Sequence, residues 1–277
     1  MRAPIFKGIC TALVTPFNDD NSIDYVSLKK MIEFQVSGGV SALLFLGTTG
    51  EASTITLQEK KAITEFAVKE VDKRLPIIIG IGGNNPANII EFGTWLRDLP
   101  IDGVLLSSPY YNKTSENGLV QFFHSIASAI SLPIIVYNVP SRTGQNISPE
   151  TFAKICKNEY IRGIKEASGN ITQIAETMRL CPNVAMYSGD DALSLPVYAL
   201  GGLGTISVAS NARPKETQEV FDLAQQKSFE NAQKLFFEQL PFYKSLFVEV
   251  NPIPVKYVLS KMGLIKNNLR PPLLPLS

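Results

Sequence analysis

Histidine is almost missing from this chain: His124 stands alone. A His-rich metal centre is therefore excluded. Cysteine is scarce as well. Cys10, Cys156 and Cys181 are odd in number, widely spaced and without a CxxC pair, so they read as buried thiols in a reducing compartment. Neither sign of charge dominates, with 26 Lys and Arg against 25 Asp and Glu. The basic residues are scattered, which removes the basic stripe that nucleic acid requires, and no charged block marks a tail. No apolar run approaches the roughly 20 residues of a membrane span. The opening MRAPIFKGICTALVTPF has no long apolar h-region, so no signal peptide is expected and a cytoplasmic location is the default.

What remains is a chain of 277 residues, 45% hydrophobic and 18% charged. That suits one large globular domain or two small ones with ample core. Short apolar runs alternate with amphipathic stretches along it. GICTALVTPF (8–17) is followed by a helical pattern over 24–39, and SALLFLG (41–47) by a helix over 57–74. PIIIGIGG (76–83) leads to a helix from Pro86 to about Asp98, and DGVLLSSP (102–109) to one near 116–130. PIIVYN (133–138) leads to SPETFAKICK (148–157), with Ser148 as N-cap and Pro149 at the first helical position. IRGIK (161–165) leads to a helix over about 170–180, NVAMYSG (183–189) to DALSLPVYALGG, and GTISVAS (204–210) to PKETQEVFDLAQQ.

Strands that lack polar alternation are buried on both faces, as in parallel sheets. About eight such units predict an α/β fold, a closed (β/α)8 TIM barrel, with a doubly wound open sheet as the rival. The barrel is expected to span 1–226. Residues 227–277 read as additional C-terminal helices packed on it.

Chemistry in such a barrel gathers at the C-terminal ends of the strands. Strand two delivers GTTGE (47–51), strand four SSPYYNK (107–113) and strand five YNVPSRTG (137–144). Strand six delivers Lys165 and Glu166, strand seven SGDD (188–191) and strand eight SVASN (207–211). Burial of Lys165 at the barrel mouth favours its neutral amine, which can form a Schiff base with a carbonyl. The plainer alternative is a structural lysine paired with Glu166. Tyr137, on the neighbouring strand, can shuttle protons or simply pack. GTTGE can hold an anion or serve as an ordinary turn. Arg142 can fork onto a carboxylate or lie solvated. SGDD fits a helix cap better than a metal pair, and GGLG (201–204) fits a tight turn better than a phosphate cradle.

GTTGE, YNVPSRTG, IKEASGN, SGDD and the ending NPIPVKYVLSKMGLI…LRPPLLPLS together resemble the dihydrodipicolinate synthase/N-acetylneuraminate lyase family. The resemblance runs from Gly8 to the C-terminus. The arginine of YNVPSRTG is generally absent from the sialic-acid lyases, and it directs the likeness to the synthase branch.

The resemblance implies a class I aldolase-type condensation of pyruvate with L-aspartate 4-semialdehyde, without metal or organic cofactor. It makes Lys165 the imine-forming residue and Tyr137 its acid/base partner, with Thr48 and Tyr111 completing a hydroxyl relay. In the family this second tyrosine comes from a neighbouring subunit, which implies a homotetramer built as a dimer of dimers. Thr49 then binds the pyruvate carboxylate, Ile206 lines the pocket, Gly189 lies close to the lysine, and Arg142 holds the carboxylate of the aldehyde. The alternative within the family is another pyruvate-dependent lyase acting on sialic or 2-keto-3-deoxy-sugar acids.

Asn84 and Tyr110 match the family's lysine-inhibition site. Asn88 stands where sensitive members commonly carry an acid, and Leu57 and Lys60 replace histidines. An ammonium ligand needs a negative partner, so feedback by lysine is expected to be weak or absent. Half-inhibition of the purified protein at micromolar lysine contradicts that expectation.

Overall fold

Every one of the short apolar runs forms a strand in the computed structural model, which describes residues 2–276. They are β1 (Gly8–Ala12), β2 (Ala42–Phe45), β3 (Ile77–Gly80), β4 (Gly103–Ser107), β5 (Ile134–Asn138), β6 (Ile161–Glu166), β7 (Ala185–Ser188) and β8 (Gly204–Ser207). The eight close into a barrel in sequential order. Pairing is parallel, with Thr11 beside Leu43 and Val136 beside Ile164. Burial on both faces explains the unbroken Ile, Leu and Val runs.

The helices follow in alternation: α1 (Tyr25–Ser37), α2 (Leu57–Val71), α3 (Pro86–Leu96), α4 (Glu116–Ile130), α5 (Pro140–Thr143), α6 (Pro149–Ile155), α7 (Ile171–Leu180), α8 (Ser194–Ala199) and α9 (Pro214–Gln225). Two more, α10 (Phe229–Ser245) and α11 (Ile253–Lys261), extend the chain beyond the last strand–helix unit. Caps set several starts. Thr56 and Glu59 form a reciprocal capping box on α2, and the Ser148 side chain accepts from Thr151 N–H with Pro149 at the first position of α6.

β1 is shorter than the sequence pattern suggests. Leu13 N–H still reaches Leu44 O at 2.9 Å, but Val14 N–H turns to the Asn211 side chain at 3.1 Å. Pro16 has no N–H to contribute. The ladder therefore stops although the residues remain apolar.

The chain divides into two compact units. The first joins the segment through Lys7 to Ile78–Thr205, and the second joins Gly8–Ile77 to the chain from Ile206 onward. In the first, Phe6 stacks on Tyr187 with ring centres 4.2 Å apart, and the Tyr187 hydroxyl donates to Phe6 O at 2.8 Å. In the second, Asn211 donates to Ala12 O at 2.8 Å while accepting from Val14, so the segment after β8 is stitched to β1. Among the described residues no helix is long and apolar enough to cross a membrane.

Candidate active site

Parallel pairing puts Tyr137 of β5 directly beside Lys165 of β6. Both are buried, and Lys165 Nζ lies 4.3 Å from the centre of the Tyr137 ring. A primary amine is thus held against a phenol on the same face of the sheet.

Glu166 does not neutralise that amine. Successive strand residues point to opposite faces, and the Glu166 carboxylate turns to the other side. There it accepts from the Asn138 amide at 3.0 and 3.1 Å, from Ser168 N–H at 2.7 Å and from Gln173 at 3.1 Å. Asn138 also accepts from Ile147 N–H at 3.0 Å, and Asn146 exchanges hydrogen bonds with Gln173. This network fixes the ends of β5 and β6 and consumes the acceptor capacity of Glu166. Among the described residues Lys165 takes part in no ion pair.

Gly189 leaves room for the lysine. A Cβ there would meet Ala167 Cβ at 2.8 Å, Glu166 O at 3.0 Å and Lys165 Cε at 3.1 Å. Its N–H donates to Glu166 O at 2.7 Å, which presses β7 against β6. The following Asp190 caps the next turn by accepting from Ala192 N–H at 2.8 Å, and burial pushes its carboxyl up. The cap reading of SGDD is the one the structure shows. GGLG is a tight turn: Gly202 N–H bonds Val197 O at 2.8 Å, and a Cβ on Gly202 would fall 2.4 Å from Val197.

Arg142 lies on α5, a single turn with Pro140 at its start and Gly144 in the left-handed conformation at its end. It is exposed. Gln145, just beyond, donates to Thr114 O and accepts from Thr114 N–H at 3.3 Å, so the loops after β4 and β5 are joined. Tyr111 sits on the first of these loops, 92% exposed and at φ 71°. A non-glycine residue rarely adopts that backbone. Tyr110 O accepts from the Asn84 amide at 3.3 Å, and Asn112 donates back to Asn84 O at 2.9 Å. Asn88 is exposed on the first turn of α3.

The second compact unit holds Thr48, Thr49 and Ile206. Ile206 is fully buried on β8 and Thr49 is almost so. Bonds from Gly50 N–H to Gly47 O at 3.1 Å and from Glu51 N–H to Thr48 O at 3.0 Å fold GTTGE into a turn, and Thr15 donates to Gly50 O at 2.7 Å. Thr49 Oγ1 accepts from Asn251 at 2.9 Å, which leaves its own proton to donate elsewhere. Glu51 ends the turn in the left-handed region, at φ 56°.

Sequence reasoning missed what holds this turn. The Glu51 carboxylate meets Lys256 Nζ at 2.5 Å and accepts from Arg270 N–H at 3.0 Å. Both side chains of the ion pair are buried. Lys256 also lies over the Phe17 ring, 4.3 Å from its centre. Burial pulls its ammonium down to about 8, against the opposing pull of Glu51. The signal was present in NPIPVKY, where a lysine interrupts an apolar helix start, but its partner is far away in sequence.

The family model of the dihydrodipicolinate synthetase family matches residues 5–277. The chain belongs to that family. A 4-hydroxy-tetrahydrodipicolinate synthase of Alkaliphilus oremlandii is 46% identical over 273 residues, covering 98% of this chain and 94% of the relative. The crystal structure of the Aquifex aeolicus dihydrodipicolinate synthase superposes with a TM-score of 0.96 at 39% identity, covering 98% of this chain and 93% of that one. A chloride-inhibited dihydrodipicolinate synthase from Acinetobacter baumannii, solved in complex with pyruvate, gives 0.96 at 39% identity with coverages of 98% and 94%.

Proposed function

We propose that the protein condenses pyruvate with L-aspartate 4-semialdehyde to 4-hydroxy-tetrahydrodipicolinate, through a Schiff base on Lys165. This is the first committed step of diaminopimelate and lysine synthesis. The observation that carries the reading is the buried Lys165 amine beside Tyr137, with Glu166 turned away. The names of the relatives support it.

The amine attacks the keto carbon of pyruvate and gives a carbinolamine. Tyr137 hands a proton to the departing hydroxyl, and water leaves as the imine forms. The protonated imine is an electron sink, so the methyl carbon loses a proton and becomes an enamine carbon. That carbon attacks the aldehyde. The amine of the semialdehyde then displaces Lys165 as the ring closes, which frees the enzyme.

Thr49 and N–H groups of its turn are assigned to the pyruvate carboxylate, Ile206 to the pocket wall, and Thr48 and Tyr111 to the proton relay with Tyr137. The exposure of Tyr111 suits a side chain donated to a neighbouring copy in a homotetramer. Arg142 is assigned to the carboxylate of the semialdehyde, where its planar fork suits two oxygens.

Borohydride reduction in the presence of pyruvate is expected to add a stable pyruvate-derived mass on the peptide containing Lys165. Labelling at another lysine, or none, refutes the imine assignment. Replacement of Arg142 by Ala is expected to raise the KM for the semialdehyde by roughly 10- to 100-fold, the loss of a charge-assisted pair, with pyruvate trapping intact. A variant with an unchanged KM places the carboxylate elsewhere and favours a sugar-acid lyase.

A further inference from the structure

Cys156 and Cys181 are far apart in sequence and adjacent in space. Their sulfurs are 3.4 Å apart. Cys156 closes α6 and Cys181 closes α7, two helices that pack side by side. Each backbone is held, Cys156 N–H by Phe152 O at 2.8 Å and Cys181 N–H by Thr177 O at 2.9 Å. Arg2 clamps the segment after Cys156, donating to the carbonyls of Cys156, Asn158 and Ile161 at 2.9, 2.7 and 2.8 Å. Cys156 is half-buried and Cys181 is buried, so Cys156 is the more accessible residue of the pair.

We propose that Cys156 and Cys181 are a peroxide-oxidisable dithiol that closes to an intrachain disulfide. The Cys156 thiolate attacks the distal oxygen of a hydroperoxide and becomes a sulfenic acid, while the O–O bond breaks and the alcohol leaves. The Cys181 sulfur then attacks the Cys156 sulfur and displaces hydroxide, which takes the Cys181 proton and leaves as water. Two thiols and one hydroperoxide thus give one disulfide, one alcohol and one water. The sulfurs need to close by about 1.3 Å to reach bonding distance.

The electrostatics favour Cys156 as the attacking thiol. The hydrogen bond it shares with Cys181 and the nearby Arg2 and Lys157 cations pull it down, and that same hydrogen bond together with burial pushes Cys181 up. A low-lying, partly accessible thiol backed by a second one is the arrangement in which a sulfenic acid is resolved as a disulfide.

The two cysteines feed the N-terminal ends of β6 and β7, whereas Lys165 lies at the C-terminal end of β6. The bond therefore braces the fold and leaves the amine untouched. A loop of about 25 residues is closed, and the melting temperature is expected to rise by roughly 5 °C.

The test treats the reduced, desalted protein with a small excess of hydrogen peroxide. The expected result is a mass loss of about 2 Da, a thiol titre falling from three to one and a non-reduced peptide joining Cys156 to Cys181, all reversed by dithiothreitol with kcat unchanged. In Cys181→Ser the resolving thiol is gone, so oxygen accumulates on Cys156 and no mass is lost. Oxygen gain without a cross-link in the unsubstituted protein, a bond to Cys10, or three unreacted thiols overturns the proposal. The peptide map of the unsubstituted protein decides even if the variant folds poorly.

Discussion

Lys165→Met is expected to abolish turnover while leaving the protein at least as stable as before. The fall in kcat should be on the order of ten-thousandfold or more, because the covalent route disappears and no other group replaces its nucleophile. The stability half follows from the surroundings of the side chain. Lys165 is 5% exposed, and the adjacent carboxylate is already satisfied by Asn138, Ser168 and Gln173. Removing the amine strands no buried anion. It also removes a buried polar group, and methionine keeps most of the volume against the Tyr137 ring. Steady-state kinetics and a thermal melt on one preparation check both halves. Turnover within tenfold of the unsubstituted protein refutes the imine mechanism. A melting temperature lower by many degrees instead gives Lys165 a structural role. Tyr137→Phe belongs to the same series. It removes only the proton carrier, so a loss of roughly 10²- to 10⁴-fold is expected, with borohydride trapping slowed rather than eliminated.

The pairing of Lys165 with Tyr137 was legible because both sit at the ends of apolar runs and because parallel strands bring equivalent ends together. The orientation of Glu166 was legible in principle too. Adjacent residues on a strand face opposite ways, which rules out the lysine–glutamate pair that IKE suggests at first sight. Strand lengths were less readable. Val14 is as apolar as Val136, and the side chain of Asn211, distant in sequence, takes its N–H just where β1 ends. The short turn α5 carries no periodicity, being four residues long, so Arg142 could be placed only in a loop. Least legible was the support of GTTGE. The Glu51–Lys256 contact joins residues 205 positions apart, and no local pattern encodes such a pair.

That buried pair has the second large expected effect, on folding rather than chemistry. Lys256→Met leaves the Glu51 carboxylate inside the protein, where it still accepts from Arg270 N–H but has lost its cationic partner. Breaking one side of a buried ion pair typically costs about 3–5 kcal/mol, which for a chain of this size corresponds to a drop of roughly 10 °C in the melting temperature. The double variant Lys256→Met, Glu51→Gln carries no orphaned charge and is expected to recover much of the loss, since a pair's net contribution relative to neutral packing is small. pH gives an independent reading. Burial holds Lys256 at about 8, below its ordinary 10.5. The folded state thus pays for the charged form below about pH 8, and the unfolded state binds the extra proton between that value and 10.5. In this window Lys256 contributes a stability that increases with pH. The methionine variant should lose that contribution, seen as a flatter dependence of the urea-unfolding free energy from pH 8 to 10. A single variant within 1 kcal/mol of the parent would show that the turn bearing Thr49 is held by its backbone bonds and by Asn251, and that the ion pair is dispensable.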